Sequence, residues 1–347
     1  MDEGRRPATM RDVAARAGVS RSLVSTVFRG VPGASPETRS RILEAAAELG
    51  YRRDDRARHL RSRDRSLVGV TLTAAHPFHV SLVEDLHDAA ELRGYELSIA
   101  LSTESRTLTR AVDTLLAQRC AAIVLVGPTA AEHELARLAA ACHGVPMVMA
   151  DRYSTLPQVD TLRVDDARAL ALTIDHLVAL GHSDIWHIGG DDFVSAAPRR
   201  DGYLRAMAAH GLAGHAQVRE AGGTEADGAK AVGRMLEEGS LPTALVAYND
   251  RVAYGVIDIL WRNQVRVPDD ISVVGFDNIP AAALPHLSLT TVEQRADILA
   301  AQVVEVLLGR LAGDPAAGLR LIPPGPLVVR GSTTRPRPLG RLRSVAG

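Results

Sequence analysis

The sequence predicts an α/β protein that begins with a small all-helical segment. From Leu67 onward, short apolar runs alternate with helical patterns, which is typical of parallel sheets covered by helices. Before that point, helical patterns follow one another without a strand pattern between them. The charge divides at the same place, because residues 1–65 hold 15 Arg, no Lys and nine Asp or Glu, a net charge of +6. The rest of the chain then carries −7, and a basic end on an acidic body indicates contact with phosphate through one part only.

The composition is that of a globular protein. Hydrophobic residues make up 46% and charged residues 23% of the chain, and no run of about 18 uncharged apolar residues predicts a membrane span. Residues 1–10 lack the apolar stretch of a secretory signal. The two cysteines, Cys120 and Cys142, are too few for a disulfide framework. We therefore expect a cytoplasmic protein with structural thiols and no membrane partner.

The first two predicted helices are marked by their caps. Thr9 can cap the first helix, with Asp12 three residues later in a capping-box arrangement, and Gly18 ends it. Ser20 can cap the second helix, which continues to about Gly30. Two short helices joined by a tight turn that contains glycine predict a helix-turn-helix.

A third helix completes this N-terminal unit. Residues 35–37 supply a capping serine, a proline at the first helical position and an acid in the first turn, and Gly50 ends the helix. Apolar residues recur at helical spacing between these limits, so three helices can share one small core. We expect such a unit to be marginally stable alone and to be tethered to a larger domain.

The second helix has polar outward positions, which is the pattern of a recognition helix in the major groove. Arginine can recognise guanine through two hydrogen bonds, while hydroxyls and helix N-termini can bind phosphates. A simple packing hairpin is the alternative, but the local excess of arginine favours DNA. The candidate DNA-binding residues of this N-terminal unit are Thr9, Ser20, Arg21, Ser22, Ser25, Thr26 and Arg29.

The order and spacing of these residues resemble the lactose-repressor (LacI/GalR) family of bacterial regulators. The resemblance continues across nearly the whole chain, to about Thr334, and it implies base contacts by Arg21, Ser22 and Thr26. The stretches that carry it in the N-terminal unit are residues 9–14, 17–20, 24–25, 38–39 and 45–51.

The resemblance also implies a hinge helix at 53–66, in which Ala57 and Leu60 occupy the positions of a small residue and a wedge. A leucine inserted at a base step unstacks it and kinks the duplex, while nearby arginines bind the phosphates. This chain departs from the family at residues 53–54, where Pro-Asn is usual, and at Arg29, where Asn is usual.

The remaining sequence predicts two units of doubly wound parallel sheet. The predicted strands are 67–72, 95–100, 122–126 and 145–149, then 184–188, 244–247 and 271–275. Open sheets of this kind bind ligands beyond the carboxyl ends of their strands, here in a cleft. The resemblance extends to periplasmic sugar-binding proteins and so implies a two-lobed domain. The implied organisation is a headpiece at 1–52, the hinge at 53–66, a two-lobed domain at 67–334 (N-lobe about 67–157 plus 293–320, C-lobe about 160–290 plus 322–333) and a tail at 335–347.

Arg199 and Asp277 match the effector-holding arginine and aspartate of the family. Such a pair can hold a polyol or a purine through charge-assisted hydrogen bonds. Phe78 could supply an apolar platform, and His79 stands where an aromatic residue is usual. Further candidates, each with a structural alternative as a cap or an ion pair, are Asp151, Arg152, Asp165, Asn249 and Asp250.

Two rival functions make predictions that this sequence does not meet. A solute-binding protein of the same fold would have a signal peptide and no headpiece, and an enzyme would have a catalytic constellation. We find no Walker-type loop or nucleophile elbow, and the histidine pairs 76/79 and 182/187 lack convincing metal-ligand spacing. We therefore expect a homodimeric repressor without cofactor or metal. Its partners would be palindromic operator DNA and a small effector, sugar-like or else a nucleobase.

Overall fold

The computed structural model describes residues 8–28, 32–51, 67–73, 76–103, 105–189, 196–316 and 318–337. It forms two compact units, Met1–Arg65 and Ser66–Gly347, which we call the headpiece and the large unit. None of the helices in these described stretches is long and apolar enough to cross a membrane.

The described part of the headpiece consists of helices α1 Met10–Ala17, α2 Arg21–Phe28 and α3 Pro36–Glu48. The predicted caps are confirmed. Thr9 and Asp12 form a capping box, and Ser35 accepts a hydrogen bond of 3.2 Å from the backbone of Thr38. Gly18 ends α1 with φ of 64°, a left-handed conformation that suits glycine. The buried apolar core of this unit is formed by Val13, Ala14, Ala17, Val24, Val27, Ile42, Ala45 and Ala46.

The first sheet of the large unit is parallel throughout. Its strands are β1 Leu67–Leu72, β2 Glu96–Leu101, β3 Ala122–Val126, β4 Met147–Ala150, β5 Asp160–Val164 and β11 Leu319–Ile322. Their order in the sheet is β11-β5-β4-β3-β1-β2. Helices α4 Pro77–Glu91 and α11 Ala296–Ala312 enclose one apolar core with this sheet, and α5 Leu108–Ala117 and α6 Glu132–Ala141 enclose another.

The second sheet contains β6 Ile185–Ile188, β7 Gln217–Arg219, β8 Ala244–Ala247, β9 Ser272–Asp277, β10 Thr290–Glu293 and β12 Leu327–Val328. Their order is β12-β10-β9-β8-β6-β7, with only β12 antiparallel to its neighbour. The accompanying helices are α7 Asp166–Ala179, α8 Ala196–Ala209, α9 Glu225–Glu237 and α10 Asp250–Arg262, with short 3-10 turns at Ala213–His215 and Pro280–Ala283. The first and second sheets define a first and a second lobe.

The chain crosses between the lobes three times, after β5, after β10 and after β11. This corrects the lobe boundary expected near residue 160, because β5 pairs with β4 and belongs to the first sheet. Residues 319–322 return to pair with β5 on its other side. The strand expected at 271–275 also extends to Asp277, which places that carboxylate at the carboxyl end of β9.

Candidate functional site

The N-terminal turn of α2 presents a polar surface. Arg21 and Ser22 are exposed, and Ser25 and Thr26 are partly buried. Ser20 caps the helix, since its hydroxyl accepts a 3.3 Å hydrogen bond from the backbone of Leu23. The hydroxyl of Ser20 also lies 2.9 Å from that of Ser22, and Thr26 donates to the Ser22 carbonyl at 3.0 Å.

Of the other residues predicted to bind DNA, one acts as a helix cap and three lie outside the described part of the chain. The Thr9 hydroxyl is engaged with Asp12 at 2.6 Å, so its local role is that of a cap. Arg29, Ala57 and Leu60 lie outside the described residues, as does the whole hinge at 53–66. Base contact and the wedge therefore stay predictions.

Arg199, on α8, organises the interior of the second lobe. It is 4% exposed, and its Nε donates to Asp166 at 3.0 Å while its Nη1 donates to the Tyr248 carbonyl at 2.7 Å. Its Nη2 lies 3.9 Å from Asp277 Oδ1, and its guanidinium stacks 3.8 Å above the ring of Phe276. A cation this deeply buried is stable only because carboxylates, a carbonyl and a π face surround it.

Asp277 lies beside Arg199 at the end of β9, in left-handed backbone with φ of 121°. Burial raises the pKa of its carboxyl well above the ordinary value, although the nearby Arg199 acts in the opposite direction. Its Oδ1 accepts a hydrogen bond from the amide of Gln294. Its Oδ2 has no hydrogen-bond partner among the described residues.

The two lobes meet at His76. Its Nε2 lies 3.1 Å from Asn249 Nδ2 and 3.5 Å from Asp277 Oδ2, both in the second lobe, whereas His76 itself precedes α4 of the first lobe. Burial is the main reason that the pKa of His76 falls to about 3, so this imidazole is neutral at physiological pH.

His79 pairs with Asp151 on the wall of the first lobe. His79 Nε2 and Asp151 Oδ2 are 2.9 Å apart. Burial alone would raise the pKa of Asp151, but its hydrogen bond with His79 and the charges of His79 and Arg199 outweigh burial and lower it. Gly127 leaves room for this imidazole, because a Cβ there would lie only 2.0 Å from the His79 ring.

The side chains of four other candidates for effector binding are engaged in core packing, ion pairing, helix capping or internal hydrogen bonds. Phe78 is 3% exposed and enclosed by the first-lobe core, so its ring is not open as a platform. Arg152 is buried, donates to the Pro128 carbonyl and lies 3.8 Å from Glu132, and Asp165 caps α7. Asp250 accepts hydrogen bonds from Thr291 and from the backbone of Ile279.

We call the contacting side chains of His76, His79, Asp151, Asp166, Arg199, Asn249, Asp277 and Gln294 the polar cluster. Gln294, His76 and Asp166 were not identified as members of it from the sequence. Gln294 directly follows β10, so the rule that ligands bind beyond the carboxyl ends of strands could have identified it. Nothing in the local sequence signals that Asp166 is the close partner of Arg199.

The histidines considered for metal binding are engaged by the protein. His182 contacts Thr243, Ser272 and the Thr334 carbonyl, and His187 Nδ1 lies 2.9 Å from the Val246 carbonyl. Within the described part of the chain, the one trio with ligand-like spacing is the exposed set His87, Asp88 and Glu91 on α4. The absence of a metal stays a prediction.

Comparisons with known proteins agree with this geometry. Residues 9–54 match the model of the lacI family of bacterial regulatory proteins, and residues 174–333 match that of the periplasmic binding protein-like domain. The HTH-type transcriptional regulator MalR of Streptomyces coelicolor is 33% identical over 341 residues, which cover 93% of this chain and 96% of that protein.

Two solved structures extend the likeness to three dimensions. The Lac repressor dimer bound to operator and the anti-inducer ONPF has a TM-score of 0.78 and 29% identity, covering 95% of this chain and 100% of that one. The complex of the transcriptional regulator CelR with cellobiose has a TM-score of 0.68 and 26% identity, covering 94% and 100%. The chain therefore belongs to the LacI family of bacterial transcriptional regulators.

Proposed function

We propose that this regulator is a homodimeric repressor whose affinity for a palindromic operator is set by a sugar-like molecule in the cleft between the lobes. A DNA-binding regulator of this kind acts in the cytoplasm. The observation that carries the proposal is the buried polar cluster in which His76 of the first lobe contacts Asn249 and Asp277 of the second.

This cluster suits a ligand that changes how the lobes meet. The groups that join the lobes are polar and lie at strand and helix ends, where a ligand can exchange hydrogen bonds with them. A ligand that prefers one arrangement of the lobes shifts the population towards it. Coupling between such a site and a DNA site is typically about 1–3 kcal/mol.

The headpiece supplies the other end of this coupling. Arg21 and Ser22 stand exposed at the start of α2, and a dimer would present two such helices to adjacent major grooves. The hinge at 53–66, with Ala57 and Leu60, would connect the lobes to the operator. We propose that paired hinges insert two Leu60 side chains into the central minor groove.

The first experiment is a selection of bound duplexes from a random DNA pool, repeated with a panel of sugars and nucleobases. We expect a palindrome with a flexible central step, and one sugar that changes its recovery. Leu60→Ala should weaken operator binding and leave sugar binding unchanged, whereas the control Leu92→Ala, at a side chain 86% exposed on the large unit, should change neither. Salt-sensitive binding without sequence preference under every condition would overturn the proposal.

A further inference from the structure

A short turn of the second lobe reaches into the first lobe. The turn consists of residues 277–279, at the end of β9, and its last residue, Ile279, is 5% exposed. Ile279 packs in the apolar core that α4 and α11 form with the first sheet. Among the described residues, it is the one buried side chain of that core that comes from the second lobe. The two lobes therefore share an apolar contact in addition to the polar contact at His76.

Tyr254 extends this apolar contact from α10. Its side chain packs against the first-lobe core and also against the core of the second lobe. Its hydroxyl is buried and has no hydrogen-bond partner within the described ranges, so packing alone holds the ring there. We call the contact that Ile279 and Tyr254 make with the first lobe the apolar junction.

The other end of the same turn lies in the polar cluster. Asp277 Oδ2 lies 3.5 Å from His76 Nε2, and Asp277 Oδ1 accepts a hydrogen bond from Gln294. Only Asn278 separates Asp277 from Ile279, so three consecutive residues join the polar cluster to the apolar junction. A displacement of Asp277 must therefore be absorbed within the turn or passed on to Ile279.

The backbone of the turn has a conformation that side chains other than glycine rarely adopt. Asp277 has φ of 121° and Asn278 has φ of 54°, both in the left-handed range. Such a conformation persists only where the surrounding structure holds it. The turn therefore depends on its contacts with neighbouring residues.

Asp250 fixes the backbone at the end of the turn. It is 0% exposed, its Oδ2 accepts from the Ile279 backbone at 2.9 Å, and its Oδ1 accepts from the Thr291 hydroxyl at 2.5 Å. Thr291 in turn accepts from the backbone of Asn278 at 3.3 Å. Gly275 leaves room for the carboxylate, because a Cβ there would lie 2.2 Å from Asp250 Oδ1.

Arg330 holds the middle of the turn. Its Nη2 donates to Asn278 Oδ1 at 2.7 Å, and its Nη1 donates to the Leu289 carbonyl at 2.7 Å. Because Asp250 and Arg330 both belong to the second lobe, several hydrogen bonds attach the turn to that lobe, whereas Ile279 meets the first lobe through packing. The turn is thus built to move with the second lobe as one piece.

We propose that turn 277–279 transmits a change in the polar cluster to the first lobe, and that Asp250 is the positioning residue that keeps the turn rigid. The proposal rests on the proposed function, in which a ligand in the cleft changes how the lobes meet, and it names the path. Packed interfaces have discrete arrangements and do not deform continuously. A rigid turn with one end in the cleft and the other in the first-lobe core shifts the apolar junction between such arrangements.

The coupling of the lobes through Ile279 can be followed with probes that the chain already contains. Both cysteines, Cys120 and Cys142, are buried in the first lobe, and both tryptophans, Trp186 and Trp261, lie in the second. Urea unfolding of the full-length protein at one fixed concentration is followed by tryptophan fluorescence and by brief labelling of the thiols with Ellman's reagent. The two signals then report on the two lobes separately.

We expect the two midpoints to coincide in the unaltered chain, because the apolar junction couples the lobes. Ile279→Ala should separate them by about 0.5 M urea or more, since it removes most of the buried contact. The control Ile271→Ala, at a side chain 2% exposed in the second-lobe core, should lower both midpoints together. Separate midpoints in the unaltered chain, or coincident midpoints in Ile279→Ala, overturn the proposal.

The role of Asp250 is tested by hydrogen exchange, measured by mass spectrometry on the full-length protein. In Asp250→Asn one end of the side chain becomes a donor, so either the Ile279 N–H or the Thr291 hydroxyl loses its acceptor. We expect exchange to rise by about tenfold or more in the turn, and to rise also in α4 and α11 but not in α5 and α6, which enclose the other first-lobe core. The control Asp227→Asn, in the capping box of α9, should change exchange only near that cap.

Two exchange patterns would contradict a transmitting role for Asp250. A rise confined to the turn would show that the disturbance does not reach the first lobe. An equal rise in α4, α5, α6 and α11 would show a general loosening of that lobe. If the duplex selection still recovers a palindrome and a sugar that changes its recovery, the proposed function stands and only the path between the lobes is wrong.

Discussion

Arg21 in the headpiece and Arg199 in the large unit are the same residue type in opposite surroundings. Arg21 is exposed and has no hydrogen-bond or ion-pair partner in the part of the chain that the structure describes. Arg199 is 4% exposed and has its donors directed at Asp166, Tyr248 and Asp277. Arg21 thus keeps its donors free for an external partner, whereas Arg199 uses its donors inside the protein. Function and stability should be separable in the headpiece and coupled in the cleft.

The contrast holds for the neighbours of each arginine. Around Arg21, hydrogen bonds are local, as between Ser20 and Ser22. Around Arg199 the cluster joins distant parts of the chain, and His76 and Asn249 are 173 positions apart. A substitution in the cleft therefore disturbs several elements at once.

Arg199→Ala should produce the largest loss of stability. It leaves Asp277 buried beside no cation and leaves Asp166 with Arg163 as its remaining ion-pair partner. Breaking a buried pair in this way costs about 3–5 kcal/mol. Urea unfolding of the full-length protein, followed by tryptophan fluorescence, measures this because Trp186 and Trp261 both lie in the large unit. The control Arg200→Ala removes an exposed arginine 3.5 Å from Asp201 and should change stability by less than about 1 kcal/mol. Equal losses in the two variants would show that burial of Arg199 does not matter.

The sequence predicts contacts between residues that are close along the chain better than contacts between residues that are far apart along it. The caps at Thr9 and Ser35 are predictable because each depends on residues within three positions. The pairing of His79 with Asp151 spans 72 positions and follows from the fold of the first lobe, which no local pattern encodes. Arg199 and Asp277 are predicted from the resemblance and lie together, but the ligand contacts expected of them are not tested by the structure.

The lobe boundary shows the same limit. Strand β5 is fully buried, like strands of either sheet, and its sequence does not state which neighbour it pairs with. Phe78 is likewise apolar, and its place in the sequence suggested a position in the cleft. Its burial in the core instead depends on how α4 packs. Local patterns therefore predict the elements, and the partners of each element come from the tertiary structure.

Acidification should destabilise the large unit through His187. Burial lowers the pKa of His187 to about 4 from 6.5, so between these values the unfolded chain binds a proton that the folded protein does not. The free energy of unfolding is therefore highest above pH 6.5. It falls by about 3 kcal/mol in all as the pH drops through the pKa of the folded protein. The described headpiece, residues 8–51, contains no histidine and lacks this contribution.

His187→Gln isolates this effect. The slope of unfolding free energy against pH, measured in urea between pH 7 and 5, should fall by up to about 1.4 kcal/mol per pH unit relative to the unaltered chain. The exposed His133 serves as the control, and His133→Gln should leave the slope unchanged. An unaltered slope in His187→Gln would mean that His187 is not the group that takes up the proton.

Arg21→Ala should give the smallest change in stability and a clear change in DNA recognition. Because the side chain is exposed without a partner in the described residues, its removal should shift the unfolding free energy by less than about 0.5 kcal/mol. A bidentate contact with guanine is worth about 1–3 kcal/mol of discrimination, so preference at one position of each half-site should fall by about 5- to 150-fold. Arg41→Ala, at another exposed arginine of the headpiece, should weaken binding to all sequences alike or not at all. Competition binding with singly altered duplexes separates the two, since a uniform loss in Arg21→Ala would assign that arginine to phosphate and remove the contrast with Arg199.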